Sequence, residues 1–414
     1  MNFVEDFVGR VLEVVTGQRE RGWNLIAMRK PTEKLSQGDF SFPTDLRIWG
    51  QCLLDRDNGN GSGDVFSYRG IDPEEIVRRS QGEKWDLPVE RVEVQKNRCI
   101  VFLDRRTAFK NVIIRTLKRD EEDCEGIEEK SVFVEEISED NQTLTDFRGI
   151  LLRKVLLNLL ARSRKYSRAP QRTDADISCT ITSKSSAEVA SGSKKIIPGV
   201  VLDSRTRKKS SSATWMEILE AKVKECELVA RHRYGFRGPG GDSQAGKMFE
   251  NLGKAILTLE LVEAKPTSPV AFGGSSSRSG SFILYNSARM ETLLEAFRTR
   301  NFPETPDFSE IDFSLLSEPE EWIILLNFVA SEQWMIEKSL CELPLGRISP
   351  HLVCSFLQSL VTIFSTYYRR VQILTDNRQH LLQVLHCRIV LLRALRKVFN
   401  RTLALLDIAP VAKM

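Results

Sequence analysis

The residues of this chain able to do chemistry fall into three sets, and two of them lead to no reaction. The four histidines, His232, His351, His380 and His386, are scattered, and the two that share a predicted helix sit six positions apart on different faces. No H-E-x-x-H and no nucleophile-base spacing occurs. The eight cysteines (52, 99, 124, 179, 226, 341, 354 and 387) include no C-x-x-C pair and no regular spacing, which points away from a disulfide framework and from a zinc site. The glycine-rich "GFRGPGGD" at 235–242 follows a charged helix, and its spacing matches neither G-x-G-x-x-G nor G-x-x-x-x-G-K-[ST], so a plain loop is expected. No catalytic residue, no metal and no cofactor are therefore expected.

The third set is cationic and aromatic. "TYYRR" puts Tyr367 and Tyr368 beside Arg369 and Arg370 at a predicted helix end. Unpaired RNA bases stack on aromatic rings and guanidinium planes, and phosphates take the cationic donors, so this composition suits an RNA loop. Adjacent helical residues point about 100° apart, which puts at least one of the two tyrosines in the core. Further on, Arg393, Lys397 and Arg401 recur at i, i+4, i+8, with Arg396 alongside and Arg388 before them. Like charges at that spacing repel by roughly a few tenths of a kcal/mol per pair. A polyanion would remove that cost, and so would pairing with an acidic part of the chain; both readings stay open. Tyr285 and Arg289, one turn apart in "FILYNSARMETLLEAF" (282–297), complete the RNA-contact candidates.

Helices must position these residues. In 282–297 the apolar Leu284, Ala288, Leu294 and Phe297 recur near helical spacing. "HLVCSFLQSLVTIFSTYYRRVQIL" and "HLLQVLHCRIVLLRALRKVFNRTLALLDI" predict two long helices joined by "TDNRQ". Leu381, Leu385, Ile389, Leu392, Leu395, Phe399, Leu403 and Leu406 form the inward stripe of the second. The pattern is helical almost throughout from Ala245. Residues 1–140 mix a helical start with strand-like "RVEVQKNRCIVFLD" and "SVFVEEIS", which fits a small α/β domain. An apolar helix opens at "DFRGILLRKVLLNLLARSRKYS", with Thr145 or Asp146 as its expected N-cap. The Ser- and Thr-rich "APQRTDADISCTITSKSSAEVASGSKK" is expected to be a long loop or linker.

Charge is unevenly placed. Sixty Lys and Arg against 56 Asp and Glu leave a net +4, but residues 301–344 hold ten acids and one base, and 345–414 hold ten bases and two acids. The last seventy residues are thus a basic module. Another acidic stretch, Asp120 to Asp140, precedes a basic, Ser-rich one from Arg162 to Lys209. The 41% apolar content supplies ample core. No run of about 18 apolar residues occurs, so no membrane span, and no membrane partner, is expected. "MNFVEDFVGRVLEVVTGQRE" carries acids within its apolar run, unlike a secretory or transit peptide, and the cytoplasm is the expected location.

Tyr285, Ala288 and Arg289 resemble the Tyr-x-x-Ala-Arg start of the first anticodon-domain helix of arginyl-tRNA synthetases. "LALLDIAPVAKM" is similar to that family's terminal Leu-Leu-Gly-Ile-x-x-Pro-x-x-Met, with Asp407 in place of the glycine. "SPHLVCSFLQSLVTIFSTYY" resembles its helix ending in Phe-x-x-x-Tyr. Upstream, "TLTDFRGILLRKVLLNLLARS" looks like the helix after the ATP-binding His-x-Gly-His, but Thr143 and Asp146 stand where the two histidines belong. The combination resembles the DALR anticodon-binding domain-containing proteins, noncatalytic relatives of those ligases. The fold this implies is mainly α with an α/β N-terminal part and a C-terminal helical bundle of the class I synthetase anticodon-binding type. The expected domains are 1–140, a small α/β domain; 141–240, a reduced remnant of a synthetase core with its basic linker; and 245–414, the helical anticodon-binding domain. The function it implies is a tRNA-binding adaptor that presents arginine tRNAs to a methyltransferase making 3-methylcytidine in the anticodon loop. A divergent arginine-tRNA ligase, and a protein scaffold without RNA binding, are the alternatives.

Overall fold

Strands Val89–Gln95 and Arg98–Leu103 form a hairpin whose two turn residues, Lys96 and Asn97, have φ of 47° and 60°. That is the two-residue turn whose twist matches paired strands. In the computed structural model, residues 2–19, 25–28, 37–49, 52–53, 63–118, 130–137, 143–183, 191–209, 214–234, 244–273, 277–300, 302–375 and 378–411 are described. The glycine-rich 235–242 stretch, Cys124 and most of Asp120 to Asp140 lie outside them.

The chain divides into two compact units. The first takes Met1–Arg119, Phe302–Trp334 and Arg370–Leu395; the second takes Asp120–Asn301, Met335–Arg369 and Arg396–Met414. This does not follow the serial division 1–140, 141–240, 245–414, and the reason lies in the acidic stretch. Trp322, on helix Pro319–Ile324, is 3% exposed, packs against Phe109 at 5.4 Å and donates from Nε1 to Asp39 Oδ1 at 2.8 Å. Asp39 is itself buried, and its other oxygen accepts from the Leu103 N–H at 2.9 Å. A buried carboxylate needs such donors, so residues far apart in sequence belong to one core.

The first unit is α/β, as expected of its N-terminal part. Its antiparallel sheet has the order Ala27–Met28, Phe40–Pro43, Arg98–Leu103, Val89–Gln95. Phe40 and Phe42 alternate inward: Phe40 meets Phe7 of helix Phe3–Thr16 at 4.5 Å, and Phe42 meets Trp49 at 5.9 Å.

In the second unit, four short strands run parallel in the order Tyr166–Arg168, Lys130–Val134, Ile177–Ile181, Lys194–Ile196. Two of them lie in the stretch expected to be a loop. "ISCTI" has a two-residue period that buries Cys179 and Ile181, and this short alternation outweighs the Ser- and Thr-rich composition around it. Burial pushes the Cys179 thiol up to about 11. A second correction concerns helix Leu144–Leu160. Its N-cap is Thr143, whose Oγ1 accepts from the Asp146 N–H at 3.2 Å, while Thr145 is buried and its Oγ1 accepts from Val201 N–H. Thr143 and Asp146 stand three apart, the spacing of a reciprocal cap.

Arg148 on this helix is fully buried, and among the described residues no carboxylate pairs with it. Its guanidinium donates to the carbonyls of Leu261 (2.8 Å), Gly199 (2.8 Å), Ser268 (2.7 Å) and Lys265 (3.0 Å), and burial pushes its pKa down to about 10. It ties helix Leu144–Leu160 to the end of helix Gln244–Val262. Helices pack closely beyond it: a Cβ on Gly253 would meet Val223 at 2.8 Å. Helix Gln379–Leu405 ends at Asp407, whose φ of 58° is the left-handed cap conformation that glycine adopts most easily. Lys254 and Lys154 reach the Asp407 carboxylate at 3.2 and 3.4 Å, and Asn158 Nδ2 donates to the Ala404 and Leu405 carbonyls. These contacts account for an aspartate at a glycine position.

Candidate nucleic-acid interface

Helix Ser277–Thr299 buries Ile283, Leu284, Ala288, Leu294 and Phe297 on one side. That leaves Tyr285 45% exposed on the other, with Arg289 one turn on. The Arg289 guanidinium lies 4.5 Å from the Tyr285 ring centre and 4.4 Å from that of Tyr368, and its Nη2 donates to the Tyr285 hydroxyl at 2.7 Å. Tyr368 belongs to helix His351–Arg370, which buries Val353, Leu357, Leu360, Val361, Phe364 and Tyr367. Two helices therefore assemble an aromatic, guanidinium, aromatic stack. Each contact is of the kind that contributes about 0.5–1 kcal/mol at an exposed site.

Among the described residues the exposed aromatic side chains are Tyr68, Phe282, Tyr285 and Tyr368. Three of the four belong to these two helices. Phe282, 40% exposed, is not among the residues chosen from the sequence; its position one turn before Tyr285 was the available signal. Arg369 follows Tyr368 and is exposed, its Nε donating to the Ser365 carbonyl at 3.2 Å.

The other residues expected at RNA are placed differently. Tyr367 is fully buried, a core residue and not a stacking surface, because the 100° step that turns Tyr368 outward turns it inward. Arg370 donates to Glu318 and Glu320, and these carboxylates raise its pKa further. Arg388 is 12% exposed and pairs at 2.9 Å with Glu321, which is 0% exposed. Two bases thus pair with the chain's own acidic stretch; for Arg388 this is the second of the two readings left open. Arg396 pairs with Glu291 at 2.9 Å. Glu291 lies two positions from Arg289, about 200° around the helix, so this pair occupies the opposite flank from the aromatic stack. Arg393, Lys397 and Arg401 are half-buried along helix Gln379–Leu405, and each already engages a partner. On that helix Leu385, Ile389, Leu392, Leu395, Phe399 and Leu403 of the expected stripe are buried, as is Leu406 beyond it, whereas Leu381 at its start is half-buried.

Among the described residues no group of three His, Cys, Asp or Glu is arranged to hold a metal, and no helix is long and apolar enough to cross a membrane. Thr143 and Asp146 bond each other, Oγ1 to Oδ2 at 2.5 Å, and Asp146 also accepts from Ser183.

Comparison with known proteins bears on the fold and on the C-terminal region. Residues 283–414 match the family described as DALR anticodon binding domain. The chain is 30% identical over 226 residues to DALR anticodon-binding domain-containing protein 3 of Danio rerio, covering 49% of this chain and 39% of that one. It is 35% identical over 178 residues to the Mus musculus protein of the same name, 40% of this chain and 33% of that one. The matches thus span about a third to two fifths of these relatives' lengths. An arginine–tRNA ligase of Borreliella burgdorferi is 28% identical over 169 residues, 41% of this chain and 26% of the ligase. Among solved structures, Thermus thermophilus arginyl-tRNA synthetase superimposes with a TM-score of 0.62 at 11% identity, covering 99% of both chains. The Plasmodium falciparum enzyme gives 0.61 at 9%, covering 99% of this chain and 98% of that one. The fold is that of these synthetases, and the helical region at the C-terminal end is the part that matches the DALR family model.

Proposed function

We propose, from a chain whose residues 283–414 form a DALR anticodon binding domain, that this protein binds tRNA and selects arginine isoacceptors through the anticodon arm. The observation that carries this reading is the exposed stack of Tyr285, Arg289 and Tyr368. Unpaired loop bases stack on such rings, and the guanidinium adds charge next to the phosphates. Arg369 is assigned to a phosphate contact, and Arg393, Lys397 and Arg401 to phosphates that would replace their present partners; Arg370 and Arg396, each held by a glutamate, contribute less, and Arg388, buried against Glu321, does not contribute.

The protein acts without catalysis of its own. Where the ligases carry the two histidines of their ATP site, Thr143 caps a helix and the Asp146 carboxylate accepts from the Thr143 and Ser183 hydroxyls. Neither is free to hold a nucleotide phosphate. The chemistry then belongs to a partner, a tRNA methyltransferase forming 3-methylcytidine in the anticodon loop, in the cytoplasm. A scaffold without RNA binding is favoured by one observation, the pairing of Arg370 and Arg388 with Glu318, Glu320 and Glu321.

Sequencing the RNAs that copurify with the full chain tests the proposal. Arginine tRNAs should be enriched, and the enrichment should collapse when Tyr285 and Tyr368 are both changed to alanine. No tRNA enrichment would support the scaffold. Arginine- and tRNA-dependent ATP turnover by the purified protein would support the ligase.

A further inference from the structure

Two members of the stack, Tyr285 and Arg289, share one strip of their helix, and a third residue lies on the same strip without an assigned task. Phe282, Tyr285 and Arg289 stand at i, i+3 and i+7 of helix Ser277–Thr299. At a rise of about 1.5 Å per residue they follow one another at roughly 4.5 and 6 Å along the axis. Those intervals suit successive bases of a single strand better than the edge of a duplex, whose bases are already stacked on each other. Phe282 is 40% exposed although the same helix has a well-filled apolar side in Ile283, Leu284 and Ala288. An exposed phenylalanine among buried neighbours is not needed for that core. Its backbone is fixed where the strip begins: the buried Asn286 donates from Nδ2 to the Phe282 carbonyl at 2.8 Å.

Building on the tRNA-binding reading, we propose that Phe282 is a further stacking residue, which extends the platform so that it takes a run of at least two unpaired nucleotides. Phe282 receives one base, the Tyr285 ring with Arg289 receives the next, and Tyr368 closes the far side. The ligand is a flexible unpaired segment, not a helical one. Phe282 carries no charge, so its contribution is independent of salt, unlike that of the arginines.

Fluorescence anisotropy with a labelled anticodon stem-loop and a blunt duplex of matching length tests this in the full chain. Phe282→Ala should weaken stem-loop binding about 5- to 150-fold, the range of one base–aromatic stack, and leave the salt slope unchanged. Duplex binding should not change. Phe282→Trp should restore or improve affinity, which a merely structural role would not allow, and the thermal melt of each variant checks that the bundle is intact. If the stem-loop binds the natural chain and Tyr285→Ala weakens it while Phe282→Ala does not, the assignment of Phe282 is overturned and the tRNA reading stands. If the natural chain binds no stem-loop, both are overturned.

Discussion

Arg388→Met separates a structural arginine from an RNA-binding one. Arg388 Nε meets Glu321 Oε1 at 2.9 Å, with the arginine 12% and the glutamate 0% exposed. The other Glu321 oxygen accepts from the Glu318 N–H at 2.9 Å in the cap of helix Pro319–Ile324. Removing the guanidinium takes the charge partner away from a buried carboxylate, and breaking one side of a buried pair costs about 3–5 kcal/mol. For units of this size a loss of 1 kcal/mol lowers Tm by about 2–4 °C, so the variant should melt roughly 6 to 20 °C below the natural chain. Adding Glu321→Gln should recover most of the loss, because a neutral amide can keep the cap without a stranded charge. Affinity of the folded variant for tRNA and its salt slope should stay as they were. A melt within about 1 °C of the natural chain, together with a salt slope smaller by about one, would refute the reasoning and return Arg388 to the phosphates.

Other consequences are open to the same methods. Tyr367→Ala should cost about 3–5 kcal/mol of stability through the cavity it leaves, whereas Tyr368→Ala should leave the urea midpoint nearly unchanged and weaken stem-loop binding. Arg148→Met strands the Leu261, Gly199 and Ser268 carbonyls at about 1–3 kcal/mol each, the Lys265 carbonyl keeping its bond from the Ser268 N–H, so the second unit should fail to melt cooperatively. Asp407→Gly relieves a left-handed backbone but loses two half-exposed ion pairs, while Asp407→Ala loses the pairs and keeps the strain. The glycine variant should be more stable than the alanine variant by about 1 kcal/mol in urea titration. Burial and the nearby Arg393 charge lower the His386 pKa, against a bond to the Pro303 carbonyl, and burial and Lys265 lower that of His351. A histidine lowered in the folded state contributes stability above its unfolded pKa, near 6.5, and that stability is lost as pH falls below it. His386→Gln should flatten that acid-side slope in melts between about pH 5 and 7.

The parts of this fold that depend on local periodicity were legible. The helix carrying Tyr285 and Arg289 follows from its apolar spacing, and so does the inward stripe from Leu385 to Leu403; the strand-like "RVEVQKNRCIVFLD" proved to be two strands folded back at Lys96 and Asn97. Adjacent tyrosines announced that one must point inward, but which one depends on the partner helices, and Tyr367 is the buried member. The glutamate partners of Arg370, Arg388 and Arg396 lie 50 to 105 residues away in sequence. Charge blocks alone showed that opposite signs were available, not which pairs would form. Arg148 was invisible as a structural residue because its four partners are backbone carbonyls, which carry no sequence signal. The strand "ISCTI" was hidden by composition, since five residues of alternation are a weak sign inside a Ser- and Thr-rich stretch.

Cross-linking arginine tRNA to the full chain with ultraviolet light, then mapping the joined peptides and nucleotides by mass spectrometry, tests the central claim most directly. Peptides holding Tyr285 and Tyr368 should carry anticodon-loop nucleotides, and the double alanine variant should lose these cross-links without loss of fold. Cross-links confined to other surfaces, or none with any tRNA, would contradict the account.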